Sequence, residues 1–340
     1  MKKIKVGIIG AGRIGNVHAQ SILYHIPEAE VAAVADPYMD NAEKLAESYG
    51  IAKHSKNWED IINDPEIDAV LVCSPTDTHA DISIAAAKAG KHIFCEKPVD
   101  LTIEKILATQ KAAEDAGVKL QIGFNRRFDH NHSRVQQLAH DGTLGKVELI
   151  KITSRDPEPP SPAYAASSGG LFIDMMIHDF DMAMFLAGCD VKEVYANGAC
   201  LVDPEIGKAG DVDTAIVVLT FENGVLGVID NSRRAAYGYD QRVEVFGEKG
   251  MAMDENDTDT TVKVSLGENV YADKPQYFFL ERYMDSFVRE MKQFIAAIVN
   301  DTPVPVDIHA GLMSVVIAKA AKLSLEEHRP VSICEILEAV

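Results

Sequence analysis

At 340 residues the chain exceeds one ordinary domain of about 100–200 residues, so two lobes with a cleft are expected, and an apolar fraction of 47% can supply each with a core. Lysine and arginine number 33 against 52 aspartate and glutamate, and the resulting net charge of −19 argues against nucleic acid or an anionic membrane as a partner. No run of 18 apolar residues occurs, and Met1-Lys2-Lys3 leads directly into a strand pattern, so neither a membrane span nor a signal peptide is expected and a cytoplasmic location is. The five cysteines (Cys73, Cys95, Cys189, Cys200, Cys334) are scattered singly, the pattern of small buried residues rather than of a zinc site or a disulfide scaffold.

Lys5-Val6-Gly7-Ile8-Ile9 is a short apolar run of the buried parallel-strand type. It passes into Gly10-Ala11-Gly12-Arg13-Ile14-Gly15 and then into a helical pattern over 17–25. In this G-x-G-x-x-G, Gly10 makes the tight turn, Gly12 lets a pyrophosphate approach the backbone, and Gly15 lets helix pack on strand; Arg13 and Ile14 complete the helix start that faces the phosphates. A second run, Val31 to Ala35, ends in Asp36, about 20 residues on, where a carboxylate accepts from both ribose hydroxyls of an adenosine or, alternatively, caps the next helix. Pro37 and Tyr38 offer no arginine for a 2′-phosphate, so NAD is expected rather than NADP.

The βα rhythm continues with helices over 41–49 and 58–63, a strand over 69–73 and a helix over 80–89 stopped by Gly90. Ser74-Pro75-Thr76-Asp77-Thr78-His79 reads as a loop at the carboxyl edge of the sheet, where such folds bind ligands. Ser74 and Pro75 are candidate cofactor contacts; His79 is either a third or an ordinary residue at a helix start. The strand His92 to Cys95 presents Glu96 and Lys97 beside the nucleotide crevice, and Pro98 turns the chain out of the sheet. A helix over 102–116 and a strand over 119–123 complete the first lobe, which gives predicted domains 1–123 and 124–340.

Phe124-Asn125-Arg126-Arg127-Phe128 sets two guanidiniums between aromatics, so that either one arginine faces the cleft or both are surface charges. After a helix over 131–141 the pattern changes to strands at 147–154, 191–199, 211–221, 225–232, 241–246 and 261–266, closed by helices over 279–300 and 309–328. This predicts an α+β lobe on an open, mostly antiparallel sheet whose bare face is available for oligomerisation. Within it, Asp156 opens a proline-stiffened loop that runs to Pro162. Gly169-Gly170 then precedes a segment read as one helix, on which Asp174, His178 and Asp181 fall at i, i+4 and i+7. Such a stripe must face water, a cleft or a partner. Asp174, one turn before His178, can orient that imidazole as a general base. A zinc site built on the same residues is the alternative, but helical neighbours alone rarely complete a coordination sphere, and no metal is expected.

With Gly10 to Gly15, Asp36, Glu96-Lys97-Pro98 and the Gly-Gly…Asp174…His178 segment together, the chain resembles the Gfo/Idh/MocA oxidoreductases over essentially its whole length. Within them it is most similar to the bacterial branch that oxidises inositol. The resemblance implies a Rossmann lobe with a doubly wound parallel sheet, a C-terminal α/β lobe with an open sheet, a homotetramer assembled through those sheets, and oxidation of a ring hydroxyl of a polyol such as inositol by NAD. Carried onto matching positions, it makes Lys97, Asp174 and His178 the catalytic set, adds Glu96 to the cofactor side, and makes Arg127, Asp156 and Tyr237 candidates for substrate hydroxyls. His178 is then expected to take the hydroxyl proton while Asp174 fixes its tautomer and Lys97 holds the same oxygen, with Lys97 as the base remaining a variant. Two other readings stay open: a dehydrogenase of an aldose, sugar acid or reduced imine, and a non-catalytic sensor of sugar and NAD.

Overall fold

The computed structural model describes residues 3–161, 164–165 and 168–339, so Pro162, the end of the proline-rich loop, lies outside the described residues. Two compact units emerge. One comprises residues up to Phe128 together with Asp285–Met313; the other comprises Asp129–Met284 and the residues from Ser314 onward.

The first unit is built on six parallel strands, β1 (Ile4–Ile9), β2 (Ala29–Ala35), β3 (Lys53–Ser55), β4 (Ala69–Val72), β5 (His92–Glu96) and β6 (Leu120–Gly123), in the order β3-β2-β1-β4-β5-β6. Their crossovers carry α1 (Arg13–His25), α2 (Met39–Tyr49), α3 (Trp58–Ile62), α4 (Thr76–Lys88) and α5 (Ile103–Ala116). All four residues of β4 are buried and apolar, as a central parallel strand covered on both faces requires. Gly7 is needed in β1 because a Cβ there would lie 2.2 Å from the Ile61 side chain of α3. This is the doubly wound sheet that the sequence predicts.

Its core also takes in a distant segment. Val6, Ile8, Leu71 and Phe94 form one cluster with Met291, Phe294 and Ile295 of α11 (Met284–Val299), and Phe94 meets Phe294 edge-on at 5.7 Å. The chain thus returns to the first unit between two stretches of the second, a return that an unbroken second domain from residue 124 does not include. The expected helix over 279–300 is correspondingly two: α10 (Phe279–Arg282) and α11, parted at Tyr283, whose buried ring lies against Tyr239 at 6.0 Å.

The second unit holds a seven-stranded sheet of β7 (Val147–Arg155), β8 (Val191–Ala199), β9 (Thr214–Phe221), β10 (Leu226–Ser232), β11 (Asp240–Gly247), β12 (Gly250–Met253) and β15 (Val331–Ser332), in the order β12-β11-β7-β10-β9-β8-β15. Only the β7–β10 pair is parallel. α6 (His130–His140) and α8 (Ile177–Ala187) pack against one face, where Ser154 donates to Gln241 at 2.8 Å and Asn231 donates to Asp179 of α8 at 2.9 Å. On the opposite face Phe246, Leu149 and Leu226 lie side by side across three strands, Val218 and Tyr195 pair across β9 and β8, and all five are exposed. The strand expected at 261–266 is instead half of a small hairpin, β13 (Lys263–Ser265) with β14 (Val270–Ala272). Shorter helices are α7 (Gly170–Asp174), α9 (Pro204–Lys208) and α13 (Ile333–Leu337).

The helix α12 (Ile308–Glu327) is long and apolar enough by composition to cross a membrane, but Val315-Val316-Ile317-Ala318 at its middle has no exposed surface, the condition of a core helix. All five cysteines are free thiols; Cys95 is buried as expected, whereas Cys73, Cys189 and Cys200 are half-buried and Cys334 is exposed.

Asp129 anchors the start of the second unit. It caps α6 by accepting from the Asn131 and His132 amides at 3.0 Å each, and it receives the buried Arg282 guanidinium, which Asp257 also meets at 2.8 Å. Burial works against its charge, but His132 and Arg282 outweigh burial and hold its carboxyl down at about 2. A carboxylate with a depressed pKa stabilises fully above its unfolded value near about 4 and loses that contribution as pH falls through about 2. Asp129→Asn should therefore cost about 3 kcal/mol at neutral pH, because Arg282 is left buried without its full countercharge. The variant should also flatten the acid limb of the stability curve. Coincident urea-unfolding free energies for variant and parent would remove Asp129 from this role.

Candidate active site

The glycine loop follows β1. Gly10 has φ +102°, and a Cβ on it would sit 2.5 Å from the Cys73 carbonyl; a Cβ on Gly15 would sit 2.0 Å from the Gly10 oxygen. Both glycines are thus fixed by close backbone approach. Gly12 differs, because a Cβ there meets nothing within 4 Å. It is the N-cap of the 13-residue α1, and it leaves open space in front of the helix amides, which is the cradle a pyrophosphate requires. Arg13 and Ile14 form the first turn beside it. Asp36 leaves β2 with one carboxylate oxygen accepting from the Ala11 amide at 2.9 Å and the other from the Tyr38 amide at 2.9 Å. It braces the glycine loop, and the N-cap of α2 is Tyr38, which decides against a capping role. Asn41 Nδ2 adds a long third hydrogen bond at 3.4 Å, so of a carboxylate's roughly four acceptor positions one stays open for a ribose hydroxyl, and a second opens if Asn41 gives way. The residues present fit NAD.

The segment after β4 departs from the expected loop. Pro75 is the N-cap of α4, so Thr76 to His79 are its first turn, and the Ser74 hydroxyl bonds that of Thr78 at 2.7 Å. His79 is only 2% exposed, with Nδ1 2.8 Å from the Pro98 carbonyl oxygen and Nε2 2.7 Å from that of Ser74. It braces the cofactor loop from behind. At the end of β5, Glu96 meets Nε2 of the buried His18 at 2.7 Å, a partner the glycine motif gives no sign of. Lys97 is half-buried and precedes a cis peptide to Pro98. Arg126 and Arg127 lie in a 3-10 turn, Asn125–Phe128; Arg126 is buried and Arg127 half-buried, so they are not both surface charges.

In the second unit, Asp174 and His178 do not share one helix. Met176 N bonds the Leu171 oxygen at 2.9 Å, a five-residue spacing that shifts the register, so Asp174 ends α7 and His178 stands in the first turn of α8. The left-handed Gly169 and Gly170 (φ +89° and +82°) start α7, and the Asp211 carboxylate takes the Leu171 amide at 3.0 Å. Asp181 is buried, so the three residues do not form one solvent-facing stripe.

Arg233, just beyond β10, is the residue the sequence reading missed. It is 3% exposed and ion-pairs with Asp174 at 2.9 Å and with Asp156 at 3.5 Å, bringing two candidates together. The sequence carried no local signal for it: β10 pairs parallel to β7 only in the folded sheet, where the residues that follow Ser232 and Arg155 emerge at the same end. Tyr164 donates to the other Asp174 oxygen at 2.9 Å. Desolvation, and then the Asp174 charge, push the Tyr164 phenol up to about 12, so it remains a donor at neutral pH. Tyr237 belongs to another cluster: its hydroxyl donates to Asp240 at 2.5 Å and accepts from Arg155 at 3.1 Å, and Arg155 also binds Asp230.

The chain matches the Gfo/Idh/MocA oxidoreductase family, described as an NAD-binding Rossmann fold, over residues 4–124, and the Gfo/Idh/MocA C-terminal domain over residues 132–253. Myo-inositol 2-dehydrogenase of Thermotoga maritima is 48% identical, over 98% of this chain and 100% of that one. The structure of a probable dehydrogenase from Thermotoga maritima has a TM-score of 0.96 at 48% identity, covering 98% and 99% of the two chains. That of scyllo-inositol dehydrogenase from Lactobacillus casei, with bound NAD(H) and scyllo-inositol, has a TM-score of 0.90 at 32% identity and covers 98% and 100%. Fold and glycine cradle together define an oxidoreductase whose cofactor is NAD. The chain belongs to the Gfo/Idh/MocA family.

Arg233→Met should destabilise the protein by about 3 kcal/mol, since two carboxylates lose their buried countercharge, while Arg233→Lys should cost less. Urea unfolding of the two variants checks this. A methionine variant as stable as the parent would show that the carboxylates do not depend on Arg233.

Proposed function

We propose that the chain oxidises a ring secondary hydroxyl of myo-inositol, or of a close isomer, to the ketone, with NAD as hydride acceptor. The observation that carries this reading is the 48% identity to the Thermotoga maritima myo-inositol 2-dehydrogenase across both full lengths. The scyllo-inositol held by the Lactobacillus casei relative supports a cyclic polyol in general. On this reading the first unit carries the cofactor, through Gly10, Gly12, Arg13, Ile14, Gly15, Asp36, Ser74, Pro75, Glu96 and Lys97, and lends Lys97 and Arg127 to the substrate, whose other contacts come from the second.

Bound NAD supplies the hydride acceptor. The protein's own task is the proton and the geometry. We assign the hydroxyl proton to His178, the orientation of that imidazole to Asp174, and the developing negative charge on the oxygen to Lys97. Arg233 and Tyr164 support this by fixing the Asp174 carboxylate from two sides. Asp156 and Arg127 are assigned to other ring hydroxyls as acceptor and donor, since a neutral polyol needs hydrogen bonds rather than a cationic clamp. Tyr237 can join them only by turning its hydroxyl away from Asp240 or Arg155.

We place the enzyme in the cytoplasm, in an inositol-catabolic role; five free thiols suit a reducing compartment. We also assign it a homotetramer formed through the bare face of the seven-stranded sheet, where the apolar rows of Phe246, Leu149, Leu226, Val218 and Tyr195 are exposed.

NAD reduction, followed by absorbance, should proceed with myo-inositol, with scyllo- or D-chiro-inositol as weaker or comparable substrates, and should fall by about 100- to 1000-fold in Lys97→Ala. Turnover on glucose but on no inositol would move the substrate elsewhere in the family. Separately, Leu226→Asp combined with Val218→Asp should shift the mass measured by light scattering to a smaller species. An unchanged mass would place the interface on another surface.

A further inference from the structure

The Glu96-Lys97-Pro98 turn is bracketed by two buried histidines from outside the motif. His18 Nε2 meets the Glu96 carboxylate at 2.7 Å, and its ring stands edge-on to Phe94 at 5.0 Å, which fixes the turn at its first residue. His79 fixes it at its last. Its Nδ1 is 2.8 Å from the Pro98 carbonyl oxygen, and its Nε2 is 2.7 Å from that of Ser74.

Both partners of His79 are backbone carbonyl oxygens, which only accept. A neutral imidazole has one N–H and one lone pair, so either tautomer would place a lone pair against a lone pair at hydrogen-bond distance on one side of the ring. At 2% exposure, water offers the ring little relief. The doubly protonated ring satisfies both contacts. We propose that His79 is a positioning residue that carries both ring protons in the native enzyme and, as an imidazolium strut between the Ser74 and Pro98 carbonyls, fixes Lys97 against the cofactor loop after β4.

The elements packed against α4 carry charged groups of both signs. α4 itself holds Asp77 and Asp81, the turn after β5 holds the buried Asp100, β5 ends in Glu96, α3 carries Glu59 and Asp60, and α5 opens with Glu104. The cationic groups are Lys88, Lys97, Lys105 and the positive end of α4, and Lys105 pairs with Asp81 at 3.4 Å and Asp100 at 3.6 Å, so these three largely offset one another and the strut rests on its two carbonyl contacts. His79 is therefore a donor on two sides rather than a contact to the cofactor. Its effect on the reaction passes through the two carbonyls.

The inference rests on the assignment of Lys97 to the reacting oxygen, and the tests keep the two apart. Neutron diffraction from perdeuterated crystals of the full chain at neutral pH should show deuterons on both His79 nitrogens. One bare nitrogen would overturn the strut without the need for any variant. Kinetically, His79→Gln keeps a donor near Nε2 and gives up the Pro98 tie, whereas His79→Asn keeps a donor near Nδ1 and gives up the Ser74 tie. The glutamine variant should lose kcat by up to about 100-fold with little change in the KM for NAD, as expected when a reacting group is misplaced. The asparagine variant should mainly raise that KM. Equal effects, no effect or the reverse split would each overturn the proposal. Lys97→Ala with full turnover would instead remove the Lys97 assignment, whatever the His79 variants do; an inactive Lys97→Ala beside a His79→Gln variant like the parent would remove the strut alone.

Discussion

All the first-unit groups assigned to the cofactor leave the sheet at one edge, because every strand in it points the same way. Gly10 follows β1, Asp36 follows β2, Ser74 follows β4, Glu96 ends β5 and Lys97 follows it. Right-handed βαβ crossovers make the strands parallel, and parallel strands open each βα connection on their carboxyl side. The order β3-β2-β1-β4-β5-β6 then reverses direction between β1 and β4, which parts the helices and leaves a crevice between those two strand ends. The close approach of the chain there dictates residue type. Gly10 lies under the Cys73 carbonyl and Gly15 under the Gly10 carbonyl, so a methyl group at either would push the loop off the strand that positions it.

The second unit solves a different problem, which is how to keep charged groups where little water reaches. Its two buried arginines are each held by carboxylates from segments far apart in the chain: Arg233 by Asp156 and Asp174, Arg282 by Asp129 and Asp257. Neither pairing is a strong source of net stability, since desolvation consumes much of the attraction, but removing one partner is costly. The pairs therefore act as constraints. Arg233 ties the loop after β7 to the end of α7, and the register shift at Met176 lets Asp174 turn to Arg233 while His178 begins a new helix.

How far the sequence revealed this follows from the range of each interaction. The parallel sheet was legible because apolar runs, glycine spacing and the aspartate after β2 are local signals, and the change to alternating strands after Val147 marked the second sheet equally clearly. The interruption at Met175-Met176 was not legible, since both residues favour helix and the cause lies in Gly169, Gly170 and the distant Asp211 carboxylate. Arg233 escaped because its partners lie 59 and 77 positions away, at Asp174 and Asp156. The return of α11 to the first unit was hidden for a related reason: an amphipathic face such as Phe287, Met291, Phe294 and Ile295 declares that it will be buried but not against which sheet.

The turn that carries Lys97 shows why such long-range contacts matter for chemistry. A lysine on a flexible four-carbon stem gains little from a well-placed backbone unless that backbone cannot move. Glu96 and Pro98 are each held by an imidazole buried in the first unit, from α1 on one side and α4 on the other, so the residue between them is fixed at both ends while its own side chain stays half-exposed. α1 is also the helix that the glycine loop opens, and α4 the one that Ser74 and Pro75 introduce. The same two helices therefore set the cofactor cradle and the lysine turn, and a displacement of either would be felt at both.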